Sequence, residues 1–342
     1  MNEGLPLVSI VITSYNTGHY IGKAIESAMA QDYPNLEIII SDNCSTDDSD
    51  EVIRQYSDDK RIKYSRNETN IGMLPNFEKV FFELASGVYI VNISSDDYLT
   101  DPSFVSSAIS IINKYNNVLV VFGKHQRFHE ETNHTTEIPN PEYYETEFRN
   151  GEEAFFDFAR YPYVSWAACL LNRNKMVEHQ LYISGMSTDI KINLSLMLYG
   201  NVGYVNKNAY TVVLHAKNST RALQDADFYI RCVLNLYEGL YDLYLERYGD
   251  NEQIRQWRNT FLDKNTLELA NFLLLQNKAE YEYFLKYIEQ KYPAQYNKVM
   301  KNKKHLACKY LLLPVIKNKV LRNIASGIFP GKDYFKKDYK YS

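Results

Sequence analysis

Three short runs, Val8-Ser9-Ile10-Val11-Ile12-Thr13, Leu36-Glu37-Ile38-Ile39-Ile40-Ser41 and Tyr89-Ile90-Val91-Asn92-Ile93, are apolar almost without alternation. A strand with one wet face alternates; a strand that reads this way is covered on both faces, the habit of parallel strands layered between helices. Each run breaks into a polar turn: Ser14-Tyr15-Asn16-Thr17-Gly18, Asp42-Asn43 and Ser94-Ser95-Asp96-Asp97. Helical spacing fills the intervals. Tyr20 to Gln31 carries Ile21, Ala24, Ile25, Ala28 and Met29. Ser45-Thr46-Asp47-Asp48 reads as a capping box, Ser45 capping a helix to about Tyr56 and Asp48 reaching back. Arg61-Ile62-Lys63-Tyr64 is a short third strand, Asn70-Ile71-Gly72 a turn, and Leu74 to Ala85 a helix. This alternation predicts an α/β domain on a mostly parallel sheet flanked by helices.

The Asp96-Asp97 pair sits where such sheets bind ligands, outside the carboxyl ends of the strands. Adjacent carboxylates are costly there without a positive partner. A divalent cation shared with a phosphate-bearing ligand fits, because hard oxygen ligands suit Mg²⁺ and Mn²⁺. The turn after the first run holds no GxGxxG and the chain holds no GxxxxGK[ST], which argues against a dinucleotide-binding dehydrogenase and a P-loop enzyme.

Five motifs in order, Val8 to Asn16, Ser41-Asp42-Asn43-Cys44-Ser45-Thr46-Asp47, Asn70-Ile71-Gly72 with Asn76, Ala85-Ser86-Gly87-Val88-Tyr89-Ile90, and Ser95-Asp96-Asp97, resemble family 2 inverting glycosyltransferases of the GT-A fold, bacterial surface-polysaccharide type. The resemblance covers about the first 125 residues closely and runs more loosely to about residue 221. It implies a UDP-sugar site. Thr13, Tyr15 and Asn16 would line the uridine pocket, with Tyr15 near the base. Asp42 would accept from the uracil N–H, and Arg66 would lie near the base or diphosphate. Asn70 and Ser95 belong to the same nucleotide-facing set, although Asn70, Gly72 and Asn76 read equally as scaffold. Asp96 would contact ribose or sugar, and Asp97 would ligate Mn²⁺ or Mg²⁺. The family often has a further Asp before the pair; this chain has Ser95 there. Asp47 also reads as a first-turn helix residue.

Inverting transfer needs a base across the sugar from the nucleotide. The resemblance puts it at Asp189, in Ser187-Thr188-Asp189 ahead of a helix-like Ile190 to Tyr199; the residues alone also allow a plain helix N-terminal acid. His215 ends the strand-like Tyr210 to His215 and would face the metal or diphosphate, with Arg221 following; a structural histidine is the other reading. Trp166 would wall the acceptor site or fill core.

With 342 residues there is room for a catalytic domain over 1–224, whose nucleotide half is about 1–125 and acceptor half about 126–224, and a helical C-terminal domain over 225–342. The polar stretch His125 to Asn150 reads as a loop over the acceptor side. Beyond Asp225, helical periodicity takes over, including Glu252 to Leu275 and Ala279 to Lys291. Net charge −4 argues against nucleic acid as a partner. Cys44, Cys169, Cys232 and Cys308 form no metal-spaced pair and are expected as free thiols. The acidic opening Met1-Asn2-Glu3-Gly4 resembles no signal peptide, and no run reaches about 18 apolar residues. From Lys291 onward basic residues interleave with apolar ones, opposed only by Asp333 and Asp338. Such a tail suits an anionic membrane surface, or else a helical face packed on the domain. The expectation is a cytoplasmic, peripherally membrane-associated transferase moving a sugar from a UDP-sugar to a saccharide acceptor, lipid-linked in O-antigen, capsule or related glycan synthesis. The alternatives are a soluble transferase to a protein or small molecule, and a non-catalytic sugar-nucleotide-binding module.

Overall fold

The computed structural model describes residues 4–137, 142–158, 167–182, 188–215, 226–307 and 309–310. The chain divides into two compact units, Met1–Arg221 and Ala222–Ser342.

Among the described residues the first unit holds ten strands: β1 (Val8–Ser14), β2 (Leu36–Asp42), β3 (Ile62–Arg66), β4 (Tyr89–Ser94), β5 (Tyr98–Leu99), β6 (Val118–His129), β7 (His134–Glu137), β8 (Phe148–Arg149), β9 (Cys169–Asn172) and β10 (Asn201–Leu214). Its helices are α1 (Gly18–Met29), α2 (Ser49–Arg54), α3 (Met73–Glu78), α4 (Phe104–Lys114), α5 (Gly151–Phe158), α6 (Arg173–Glu178) and α7 (Thr188–Tyr199). Strand order is β3-β2-β1-β4-β9-β6-β10-β5, with β7 on β6 and β8 on β10. β1, β2, β3 and β4 run parallel, in keeping with the two-sided apolar pattern of β1, β2 and β4; β3, at the edge, is only partly covered. The far half is mixed: β9 enters antiparallel between β4 and β6, and β6 and β10 pair in parallel.

Ile21, Ala24, Ile25 and Ala28 of α1 and Phe104, Val105 and Ala108 of α4 pack on Ile10, Ile12, Ile38, Ile40, Val91 and Ile93, forming one dry core. Burying side chains of this kind is worth roughly 1.5–3 kcal/mol each. Residues facing the other way, such as Val11, Ile39 and Ile90, are fully covered too.

Three expectations need correction. Leu74 to Ala85 is not one α-helix: α3 passes at Lys79–Leu84 into a π-helical turn. There Arg173 donates to the carbonyls of Phe81 and Phe82 at 2.7 and 3.1 Å. Ser45 caps no helix. α2 begins at Ser49, and Asp47 holds its first turn, accepting from the Ser49 N–H at 3.1 Å. The supposed loop from His125 starts as strand: β6 runs to His129, turns over Glu130–Thr132 and pairs back with β7. Alternation there is weak because the half-exposed faces carry Lys124, His125, Gln126 and Arg127 in one polar run.

The second unit is helical: α8 (Ala226–Tyr229), a π-helical turn over Ile230–Leu234, α9 (Asn235–Tyr248), α10 (Glu252–Gln276), α11 (Lys278–Lys291), α12 (Pro293–Lys301) and α13 (Lys303–Ala307). Asn251 and Asn277 cap α10 and α11, accepting from Ile254 N–H at 3.0 Å and Ala279 N–H at 2.9 Å. Its core joins Leu262, Ala270, Leu273, Phe284, Ile288 and Val299. The start of the basic tail is spent here. Lys298 pairs with Asp263 at 2.5 Å, and His305 is buried between Tyr281 and Asn271. Residues 311–342 lie outside the described residues. No described helix is long and apolar enough to cross a membrane.

Candidate active site

Register brings the expected residues to one edge. Thr13 pairs with Ser94, Ser14 with Asp42, and Asp42 with Arg66, all at the carboxyl ends of parallel strands. A cleft of about 510 Å³ opens above them. Its lining includes Thr13, Tyr15, Asn16, Ser95, Asp96 and His215 from the expected set. It also includes residues that were not anticipated: Ser14, Thr17, His19, Tyr20, Asp48 and Phe77.

The floor is a chain of hydroxyls and amides. Thr17 Oγ1 lies 2.9 Å from both Ser14 Oγ and Ser95 Oγ. Asn16 has a left-handed backbone, φ 54°, which an asparagine tolerates. Its side-chain Oδ1 accepts from Thr46 N–H at 2.8 Å, while its backbone N–H donates to Ser45 Oγ at 2.8 Å. The turn after β1 is thus sewn to the turn after β2. The seam is tight at Gly18, whose N–H donates to Asp47 at 3.0 Å; a Cβ there would lie 1.7 Å from Asp48 Oδ1. Tyr15 is 48% exposed and offers an apolar face at the edge of the cleft.

The acidic pair divides its work differently from the expectation. Ser94 to Asp97 form a turn, Asp97 N–H donating to Ser94 carbonyl at 2.9 Å. That turn sends Asp97 inward. Its carboxylate accepts from Tyr210 Oη at 3.0 Å and from Val213 N–H at 2.8 Å, both on β10. Burial, then the neighbouring Asp96 charge, push its carboxyl up to about 7. Asp97 therefore fastens the turn to β10 and does not face the cleft. Asp96 does, and its Oδ2 lies 3.2 Å from His215 Nε2.

Two further residues depart from their expected places. Asp42 is fully buried and does not line the cleft. It accepts from Ser45 N–H at 3.2 Å and from the Ser45 hydroxyl, and pairs with Arg66 Nε at 3.4 Å. Arg66 also donates to the Ser45 carbonyl at 2.7 Å and pairs with Asp50 at 3.3 Å, and it is not among the residues lining the cleft. Asn70 belongs to the scaffold: its Oδ1 accepts from Asn43 Nδ2 and Gly72 N–H, each at 2.8 Å. Asn76, by contrast, reaches the cleft while holding Ser41 and Asn67.

Asp189 sits in the first turn of α7, outside the described lining of the cleft, and burial pushes its carboxyl up to about 6. Cys169 stands close behind, its thiol raised by its own burial and by the Asp189 charge. Trp166 and Arg221 lie outside the described residues.

The donors suit a divalent cation in part. The described residues hold no cluster of three or more His, Cys, Asp or Glu side chains able to hold a metal. Asp96 and His215 supply two converging groups, which leaves remaining positions for phosphate oxygens and water. Charge argues the same way. The described lining carries Asp47, Asp48 and Asp96 but no lysine or arginine that could meet a diphosphate.

The profile described as glycosyl transferase family 2 matches residues 9–178. The poly(ribitol-phosphate) β-N-acetylglucosaminyltransferase TarS of Staphylococcus aureus is 29% identical over 115 residues, 33% of this chain and 20% of that protein. Chondroitin synthase of Escherichia coli is 27% identical over 218 residues, 63% of this chain and 30% of that protein. The chain thus spans less than a third of either relative. The crystal structure of S. aureus TarS 1–349 in complex with UDP-GlcNAc superposes with TM-score 0.66 at 16% identity, covering 98% of both chains, so the fold is shared end to end. The TarS structure shows the fold, and the profile over β1 to α6 shows that residues 9–178 belong to glycosyl transferase family 2.

Proposed function

We propose that the protein transfers a sugar from a UDP-sugar to a saccharide acceptor with inversion at the anomeric carbon. The observation that carries this reading is the cleft at the carboxyl edge. It is acidic, holds the Asp96–His215 pair and has an aromatic face at Tyr15. The donor named in the TarS complex, UDP-GlcNAc, supports the nucleotide class.

Asp96 and His215 would hold Mn²⁺ or Mg²⁺; bound beside a diphosphate, such an ion neutralises the charge of the leaving group. Thr13, Asn16 and Ser95 offer polar contacts to ribose and phosphate, and Tyr15 an apolar face to the base. For Asp42 to accept from a uracil N–H, that N–H must take the place of the Ser45 hydroxyl. Asp189 serves as general base: its carboxylate takes the acceptor proton as the hydroxyl oxygen bonds to the anomeric carbon and the bond to the diphosphate breaks. A carboxyl raised to about 6 is ionised at neutral pH yet basic enough to accept a proton. By their names the relatives act on polymers, poly(ribitol-phosphate) and chondroitin, which supports a polymeric glycan acceptor; a lipid carrier for it and contact with an anionic membrane rest on the basic sequence beyond residue 310.

The test is a panel of UDP-sugars incubated with the protein and Mn²⁺, with UDP release measured. Slow hydrolysis of one or two donors, lost in EDTA and restored by Mn²⁺, is expected. Tight UDP-sugar binding with no release from any donor, alone or with saccharide acceptors, would leave a binding module instead.

A further inference from the structure

The Asp96–His215 pair is the cleft end of a longer chain of contacts. The Tyr20 ring lies flat on the His215 imidazole, centroids 4.5 Å apart and planes 20° apart. The Tyr20 hydroxyl donates to both carboxylate oxygens of Glu130, at 2.9 and 3.2 Å. Tyr20 comes from the first turn of α1, and Glu130 from the turn that closes the β6–β7 hairpin, 110 residues away. His215 is 6% exposed and Glu130 40%, so the chain runs from a wet hairpin tip to a dry cleft wall.

We infer that Tyr20 is a positioning residue for His215, held in place by Glu130, so that the β6–β7 hairpin sets the imidazole that shares the cation and diphosphate site with Asp96. This rests on the cation reading of that pair given above. An imidazole has a broad torsion about its last bond, and a flat ring stacked on it removes that freedom. The stack leaves Nε2 facing Asp96. Tyr20 is itself a lever that needs a fixed end, and the bond to Glu130 supplies one. Partners of this kind, which orient a ligand without touching the ion, typically carry about 10–100-fold in metal affinity. His19 Nε2 also lies 4.0 Å from Glu130, so removing the carboxylate and removing the Tyr20 hydroxyl are separate perturbations.

The experiment uses the full chain and two readouts. The first is the His215 ring resonance in metal-free protein, assigned by its disappearance in His215→Gln. Tyr20→Leu, Tyr20→Phe and Glu130→Ala should each move and broaden it; Glu130→Gln, which still accepts the hydroxyl proton, should restore the wild-type position. The second is Mn²⁺ affinity with UDP present, read by the free-ion electron paramagnetic resonance signal. It should fall about tenfold in Tyr20→Leu and Glu130→Ala and recover in Glu130→Gln. A His215 resonance unmoved in Tyr20→Phe and Glu130→Ala overturns the inference. If the resonance moves as expected while wild-type protein binds no Mn²⁺ with UDP, the positioning role stands and the cation reading fails.

Discussion

Asp189→Asn separates chemistry from stability, because the same burial that suits the residue for a base also costs the fold. An aspartate ionises at 3.8 in the open chain and at about 6 here. Keeping it charged in the folded state therefore costs roughly 3 kcal/mol, an upper figure since the site relaxes. The sign follows from proton binding. Between about pH 4 and 6 the folded chain holds a proton that the unfolded chain has released, so stability falls as pH rises through that window. Asparagine keeps the shape and the capacity to accept from Ile190 N–H, but has no charge to bury. At pH 8 the variant should melt on the order of 5–10 °C higher than wild type, and near pH 4 the difference should vanish. Sugar transfer should drop about 10²–10⁴-fold in turnover with UDP affinity unchanged. Wild-type turnover should itself fall below about pH 6 as the base protonates. Scanning calorimetry at the two pH values and single-donor kinetics decide the matter. A melting difference equal at pH 4 and pH 8 refutes the burial argument; wild-type turnover in the variant refutes the base.

The two acidic neighbours should part company. Asp96→Asn is expected to abolish transfer and Mn²⁺ binding while leaving the melting point near wild type, whereas Asp97→Asn should lower the melting point, because one amide oxygen cannot replace two carboxylate oxygens in accepting from both Tyr210 Oη and Val213 N–H. The opposite pattern in paired calorimetry and metal titration would return the metal to Asp97. Base recognition should favour UDP over GDP and ADP, with Asp42→Ala weakening UDP and Ser45→Ala binding it no worse than wild type; if Ser45→Ala is as weak as Asp42→Ala, the base does not displace that hydroxyl. Full-length protein should sediment with anionic but not neutral vesicles, less as salt rises, and removal of residues from 311 should abolish this. Sedimentation unchanged by that truncation would assign the membrane contact elsewhere.

The parallel half of the sheet was legible because its signal is local. β1, β2 and β4 advertise two-sided burial in their own residues, and Glu252 and Lys291 bound two helices close to where periodicity ends. What failed to show was structure made by distant partners. β9 is four residues long, too short for a pattern, and exists because β4 and β6 flank it. β6 reads as loop past His125 because β10 and β7, not its own alternation, hold it extended. Ser45 looked like a cap because Asp48 follows three residues later, but the buried Asp42 carboxylate needed its hydroxyl more. Tyr20 passed as an ordinary helix residue. Its place could have been suspected, since a side chain in the first turn of a helix leans back toward the strand end that precedes it.

The exchange of Asp96 and Asp97 follows from the same cause. In this turn the two adjacent acids part, Asp96 facing the cleft and Asp97 the protein. Which is which depends on where the matching donors lie, and those are Tyr210 and Val213, more than a hundred residues on. Once β10 has claimed Asp97, its next residues are already placed: two positions beyond Val213, His215 meets Asp96 across the cleft. The contact that buries one carboxylate thus brings the imidazole to the other. The β10–Asp97 clasp assembles the Asp96–His215 pair, the pair proposed above to hold a cation beside a diphosphate.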